Sequence, residues 1–453
     1  MDKKFYTAVF FFLFLSVLFL SFCSTSAAWI EGPFVNNVTP NSVVIWWNSS
    51  PHVAGKVFIK DFKELKDSSF PFELKITGLK PDTTYSYCVV FDNGKRYPPK
   101  GYYQFHTAFK GEKRFSFAVL ADSRAPFFSL SPVNEEILKK LLSEIKKKNV
   151  EFICFLGDLV YGDTKSAEKL RDKFRTWKNI ASFVMHEIPI YTAMGNHEIV
   201  FHEADGYILD GEKKGKDIIY SEKIFADEFV NPENSPFPES PFAPPYKETV
   251  YSFDWGNSHF IFINTDYWIV FPKRSFWGKQ KKIIKLYKNG NLPGIIMENQ
   301  LKWIEKDLKR AKACGAKHIF VFGHQPIFPI THDEEDAIEY NPNATKEAKE
   351  YAKKRRKQLW ELFDKYGVKA AFFGHEHNYS RTLINNTWQI ITGGAGAPLR
   401  GRNNKVHYPW LNGLKKFKKC YHYCIVTVDK DKVELSVFGI INGRFQLIDH
   451  AYL

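Results

Sequence analysis

An α/β domain that carries the chemistry, preceded by a small all-β sandwich, is the architecture this sequence predicts. Three observations lead there. Residues 29–108 fall into short alternating runs separated by turns: SVVIWWNSS, VAGKVFIKDF, FELKITGL, TYSYCVVFDNGK and GYYQFHTA. From about residue 113 apolar strand-like runs alternate with helical stretches, the pattern of an α/β domain. The chain has 453 residues, more than one ordinary core supports, so two domains are the default expectation.

In chain order, MDKK, an apolar run from Phe5 to Cys23 and the small residues STSAA read as a secretory signal over 1–28, cut after Ala28. The run is long enough that a retained membrane anchor is the second reading. Phe22 is too bulky for the usual lipoprotein pattern at Cys23. No later segment is apolar enough to span a bilayer, so the expected location is secreted, periplasmic or extracellular. Residues 29–108 form the β-sandwich, of a kind that binds, spaces or covers a site. Residues 113–453 form the domain with the chemistry. In it MENQLKWIEKDLKRAKACGAK reads as a helix, with Leu301, Ile304 and Leu308 at helical spacing and Gly315 near its end. Residues 200–250, rich in Pro, Gly and charge, read as a long insertion at the rim. The tail from Tyr421 reads as two or three antiparallel strands with Asp-Lys and Asn-Gly turns.

Composition is globular, 44% hydrophobic and 25% charged, with a net charge of +14. The lysine runs at 146–148, 279–282 and 415–419 read first as solvated surface, and second as attraction for anionic substrates or envelope polymers. No nucleic-acid motif is present. Removing the signal leaves Cys88, Cys154, Cys314, Cys420 and Cys424, an odd set that is no disulfide framework. Cys420 and Cys424 lie too far apart on one strand to bond. Glycosylation sequons occur at 37–39 and 343–345.

The informative regularity lies at the ends of the apolar runs. RFSFAVLAD ends at Asp122 and EFICFLGD at Asp158. IPIYTAMGNHE reaches Asn196 and His197, HIFVFGHQP carries His324, and VKAAFFGHEHN reaches His375 and His377. In an open α/β sheet the carboxyl ends of strands share one edge, where ligands bind. A lone strand-end Asp is more often a cap, and a lone His a surface residue. Five strand ends with metal-capable residues make coincidence a poor account. Within FLGDLVYGD, Tyr161 stands three residues after Asp158, and by itself that reads equally as packing.

Taken together, Gly157-Asp158, Gly195-Asn196-His197-Glu198, Gly323-His324 and Gly374-His375-Glu376-His377 resemble the motif set of the calcineurin-like metallophosphoesterases. Asp158-Leu159-Val160-Tyr161 narrows the resemblance to the purple acid phosphatases. ITGLKPDTTYSYCVVF is similar to the end of a fibronectin type III repeat. The resemblance implies a four-layer αββα sandwich and two metal ions. Asp158 would bridge them. Asp122, Tyr161 and His377 would complete the first position, and Asn196, His324 and His375 the second. A Tyr ligand implies Fe(III), with Fe(II), Zn(II) or Mn(II) beside it. The implied reaction is phosphomonoester hydrolysis by metal-activated water, on a phosphorylated small molecule or polymer. His197 and His332 would bind phosphate or move a proton.

The first motif departs from the family pattern. Asp122-Ser123-Arg124 replaces the family's Asp-x-His or Asp-x-Gly, and an arginine cannot ligate a cation. Arg124 reads equally as a phosphate contact and as a salt bridge. Asp333 and Glu334 also differ from the histidine pair common there. Two other functions stay open: a phosphodiesterase or nucleotide hydrolase on the same site, and an inactive secreted binding protein.

Overall fold

The computed structural model describes residues 28–67, 72–273, 283–332 and 337–453. The expected signal, the lysine run at 279–282, and Asp333 with Glu334 lie outside the described residues.

The N-terminal strands are β1 (Trp29–Asn36), β2 (Ser42–Ser50), β3 (Gly55–Ile59), β4 (Lys63–Asp67), β5 (Phe72–Thr77), β6 (Thr84–Phe91), β7 (Arg96–Tyr97) and β8 (Tyr103–His106). They form two antiparallel sheets, β1-β2-β5 and β4-β3-β6-β7, with β8 on β6. Alternation drives this: in β3 every second residue is buried.

Then come β9 (Phe115–Leu120), α1 (Glu135–Lys146), β10 (Phe152–Leu156), α2 (Ala167–Met185) and β11 (Ile190–Ala193). The insertion is not the loop its composition suggests. It holds β12 (Phe201–Ala204), β13 (Tyr207–Asp210), β14 (Glu212–Lys214), β15 (Asp217–Ile219) and α3 (Ser221–Glu228). These strands of three or four residues are too short to show a period. Next are β16 (Tyr251–Trp255), β17 (Ser258–Phe262), β18 (Val270–Pro272), α4 (Glu298–Ala313), β19 (His318–Phe322), α5 (Lys346–Tyr366), β20 (Ala370–Phe373), β21 (Tyr379–Ile384), β22 (Thr387–Thr392) and β23 (Leu414–Lys418). The tail forms β24 (His422–Asp429), β25 (Lys432–Ile441) and β26 (Arg444–Tyr452). Asn442 and Gly443, both at positive φ, make the turn between the last two strands.

Two sheets stack face to face. One runs β11-β10-β9-β24-β25-β26, the other β16-β17-β19-β20-β22-β21-β23. β9, β10 and β11 are parallel, as are β17, β19, β20 and β22. Between the sheets lies an aromatic layer: Phe117 stands 5.2 Å from both Phe152 and Phe260 and 5.4 Å from Phe320. On the outside, Leu138, Leu141 and Leu142 of α1 and Leu170, Phe174 and Trp177 of α2 cover the first sheet. Leu301, Ile304 and Leu308 of α4 with Leu359, Trp360 and Phe363 of α5 cover the second. This is the expected helix–sheet–sheet–helix order. Strands buried on both faces read as continuous apolar runs, and FICFL and HIFVF are two of them.

The N-terminal strands share the interior of the larger domain. Val35, Ile45, Trp47 and Val57 belong to the same apolar cluster as Phe117 and Phe152. Tyr87 Oη donates to His186 O at 2.7 Å, and Lys178 of α2 is buried between Glu31 at 3.2 Å and Glu228 at 2.9 Å. All five cysteines of the described residues are free.

Candidate metal centre

Asp122, Asp158 and Asn196 come after β9, β10 and β11, while His324 and His375 come after β19 and β20. The carboxyl ends of both sheets therefore meet at one place. The chain turns abruptly there, with positive φ at Asp122 (65°), Asp158 (50°) and His375 (65°). Such conformations cost on the order of 1–3 kcal/mol each, and cluster where geometry serves function. Two glycines permit the crowding. A Cβ on Gly195 would come 2.6 Å from Asp158 Oδ1, and one on Gly374 2.5 Å from Asp122 Oδ2.

Backbone amides hold the acids. Asp122 Oδ2 accepts from His375 N at 2.9 Å, and Asp158 Oδ1 from His197 N at 3.0 Å. Two buried glutamates, neither expected to act, clamp the loops. Glu198 accepts from the amides of Asp158, Val160 and Gly195, and Glu376 from those of Ile330, Thr331 and His332. The sequence signal was present, since a Glu comes directly after His in both GNHE and GHEH.

Tautomers fix the atoms that face inward. His324 Nδ1 lies 2.8 Å from Leu156 O, and a carbonyl only accepts, so Nδ1 carries the proton and Nε2 is bare. That bare nitrogen stands 3.3 Å from Asp158 Oδ1 and 3.0 Å from Asn196 Oδ1. His375 Nδ1 is 2.9 Å from the same Asn196 oxygen. Three lone-pair atoms facing one another repel unless a cation lies among them. The donor set, two imidazoles, an amide oxygen and a carboxylate, suits a transition metal. Burial pushes the His324 imidazole down to about 4, which keeps it neutral and able to ligate.

The neighbouring donors are Asp122, Asp158 and His377. Oxygen Oδ1 of Asp122 is buried, and among the described residues no hydrogen-bond donor reaches it. His377 Nε2 lies 3.5 Å away, bare because Nδ1 donates to Pro398 O at 2.8 Å. Burial and the adjacent Asp158 charge push the Asp122 carboxyl well up. Burial opposes ionisation of Asp158 too, but His324, His197 and Arg124 outweigh it and hold that carboxyl low. The ligand atoms of Asp122, Asp158 and His324 all lie within 4.8 Å of one another, so these residues fit a metal site.

Arg124 is nearly buried within this group. Its Nε lies 3.1 Å from Asp158 Oδ2 and its Nη2 3.3 Å from His377 Nε2. His197 points Nε2 toward Asp158 Oδ2 at 3.9 Å, while Nδ1 bonds Asp163 Oδ2 at 2.7 Å. His332 stacks on His375, centroids 4.6 Å apart, and contacts Glu376 and Arg400.

The ring of Tyr161, the remaining expected ligand, packs on His197 at 5.1 Å and on Phe127 at 5.6 Å. Burial, then the Asp163 charge, push the phenol up to about 12. Sequence reasoning missed Asp163 and Arg400. Asp163 closes the FLGDLVYGD stretch but looks like a turn residue, and Arg400 sits in a loop without any motif.

Comparison with known proteins agrees with this geometry. The calcineurin-like phosphoesterase family profile matches residues 115–379. Acid phosphatase type 7 of Mus musculus is 21% identical over 308 residues, covering 65% of this chain and 56% of that protein. The serine/threonine-protein phosphatase CPPED1 of Homo sapiens is 27% identical over 161 residues, 34% of this chain and 44% of its own length. The match thus spans little more than half of the first relative. Purple acid phosphatase PPD1 from yellow lupin (Lupinus luteus) seeds shares the fold with a TM-score of 0.65 at 17% identity, covering 93% of this chain and 74% of the lupin chain. PhoD does so with a TM-score of 0.61 at 11% identity, covering 94% and 88%. With strand-end acids and histidines converging on a cation site, and a family profile spanning both sheets, this chain belongs to the calcineurin-like phosphoesterases.

Proposed function

We propose that this chain is a secreted phosphatase that hydrolyses phosphomonoesters at the Asp122–His377 centre. The observation that carries the reading is the facing of bare His324 Nε2 on Asp158 Oδ1 and Asn196 Oδ1, an arrangement that a bound metal satisfies. The related acid phosphatase type 7 and CPPED1, both named as phosphatases, support the reaction class. The signal-like residues 1–28 support export.

Asp158, Asn196, His324 and His375 would hold one ion, and Asp122, Asp158 and His377 a second. Nitrogen and oxygen donors of this kind suit iron, zinc or manganese. Fe(III) on Tyr161 would require the phenol, which burial and the Asp163 charge push up, to give up its proton. Bound ions supply Lewis-acid charge and a water that ionises near neutral pH.

The protein's own groups do the rest. Asp163 holds His197 by Nδ1 and aims Nε2 into the centre, where it delivers a proton to the departing alkoxide. Arg400, in contact with His332 Nε2 at the rim, offers its remaining N–H donors to the outer phosphate oxygens. Glu198 and Glu376 hold the loops so that little reorganisation accompanies reaction.

The test is hydrolysis of p-nitrophenyl phosphate against its bis-p-nitrophenyl diester. Monoester turnover that a chelator abolishes and metal restores supports the reading. Preference for the diester replaces it with the phosphodiesterase, and failure on both leaves the binding protein.

A further inference from the structure

We infer that Arg124 makes the two metal positions unequal: its guanidinium is a resident cation on the donors of the first, and a metal enters there only by displacing it. The inference rests on the metallophosphoesterase reading and adds an order of loading to it.

The same tautomer logic applies at both positions and gives different results. At the second, His324 turns its bare nitrogen toward an acid and an amide oxygen, and among the described residues no lysine or arginine bonds His324 or Asn196. At the first, His377 also turns a bare nitrogen inward, but Arg124 Nη2 donates to it at 3.3 Å while Nε donates to Asp158 Oδ2 at 3.1 Å. One planar fork thus satisfies a histidine and the bridging acid together, a geometry lysine cannot reproduce.

The arginine is held for this. Its amide donates to Asp158 O at 3.0 Å, it bridges to Val133, and its guanidinium lies 5.8 Å over the Tyr161 ring. It is 9% exposed, so the pairing is desolvated and strong. Asp158 splits its two oxygens between the positions, Oδ1 toward His324 and Oδ2 toward Arg124. A metal at the second position leaves the arginine undisturbed. A metal at the first must break both charge-assisted bonds, each worth about tenfold or more in affinity. First-position binding is then weaker by on the order of a hundredfold.

The experiment is a Mn(II) titration of the full chain, with bound metal counted after gel filtration and low-temperature EPR of the same samples. Wild type should keep one Mn(II) with an isolated-ion signal, a second binding about a hundredfold more weakly. Arg124→Ala should keep two, with an exchange-coupled signal, and Arg124→Lys should fall between. Two equally tight ions in wild type overturn the inference and leave the phosphatase reading standing. So does a folded Arg124→Ala that keeps one. If that variant fails to fold, the wild-type titration decides alone. No retained metal in any variant overturns both readings.

Discussion

Asp163 Oδ2 lies 2.7 Å from His197 Nδ1, while His197 Nε2 faces Asp158 Oδ2 at 3.9 Å. This acid thus orients the histidine that faces the metal donors. Orienting partners of this kind typically contribute about 10–100-fold. Asp163→Ala should lower kcat in that range with KM nearly unchanged, because the ring loses its aim and phosphate contacts remain. A kcat within twofold of wild type would remove Asp163 from the mechanism.

Asp158→Asn removes the charge shared between both donor groups. Bound metal should fall below one ion per chain, and turnover by at least about a hundredfold. Metal analysis of the purified variant checks this; full occupancy would show that Asp158 is no bridge.

Chelation should destabilise the fold, because the facing acceptors of Asp158, Asn196 and His324 repel once the cation leaves. An ion at 1,000 times its Kd contributes about 4 kcal/mol. Thermal unfolding should move down with EDTA and recover with Mn(II) or Zn(II). An unchanged transition would argue against metal in the native centre.

His422, which is not among the metal donors, gives a pH prediction. It is fully buried between Cys420 O and Thr392 Oγ1, and burial pushes its imidazole down to about 4. The unfolded chain binds the proton near pH 6.5 and the folded chain only near 4, so the unfolded state holds more protons between them. Stability contributed by the neutral ring is full above pH 6.5 and is lost as pH falls toward 4, by roughly 3 kcal/mol. Urea midpoints from pH 7 to 4 should fall less steeply in His422→Gln than in wild type; equal slopes would refute the assignment.

Phe128 is exposed, and Phe127 joins it to Tyr161 in a ladder of ring contacts. An aryl leaving group can extend that ladder, worth about 1 kcal/mol per ring pair. Phe127→Ser with Phe128→Ser should raise KM for p-nitrophenyl phosphate roughly fivefold while sparing glycerol phosphate. Equal changes for both substrates would mean that the loop acts on the fold alone.

The residues legible in the sequence were those that a strand end exposes. Asp122, Asp158, Asn196, His324 and His375 stand where apolar runs stop, and a buried parallel strand has to be an apolar run. The hidden features depend on side-chain direction. Nothing in DSR tells whether Arg124 turns to solvent, to phosphate or onto His377, and nothing in GDLVYGD tells that the Tyr161 ring packs on His197. The insertion reads as a loop because segments such as EKK and DII are shorter than any period.

The N-terminal strands bury Val35, Ile45 and Trp47 in one interior with Phe117 and Phe152, and Lys178 ties Glu31 to helix α2. That makes residues 29–108 a keel rather than a trailer. They should melt with the hull in a single cooperative transition, and exchange for another binding module should expose that shared core. Whatever selection asks of the sandwich surface, its inner face answers to the stability of the catalytic sheet.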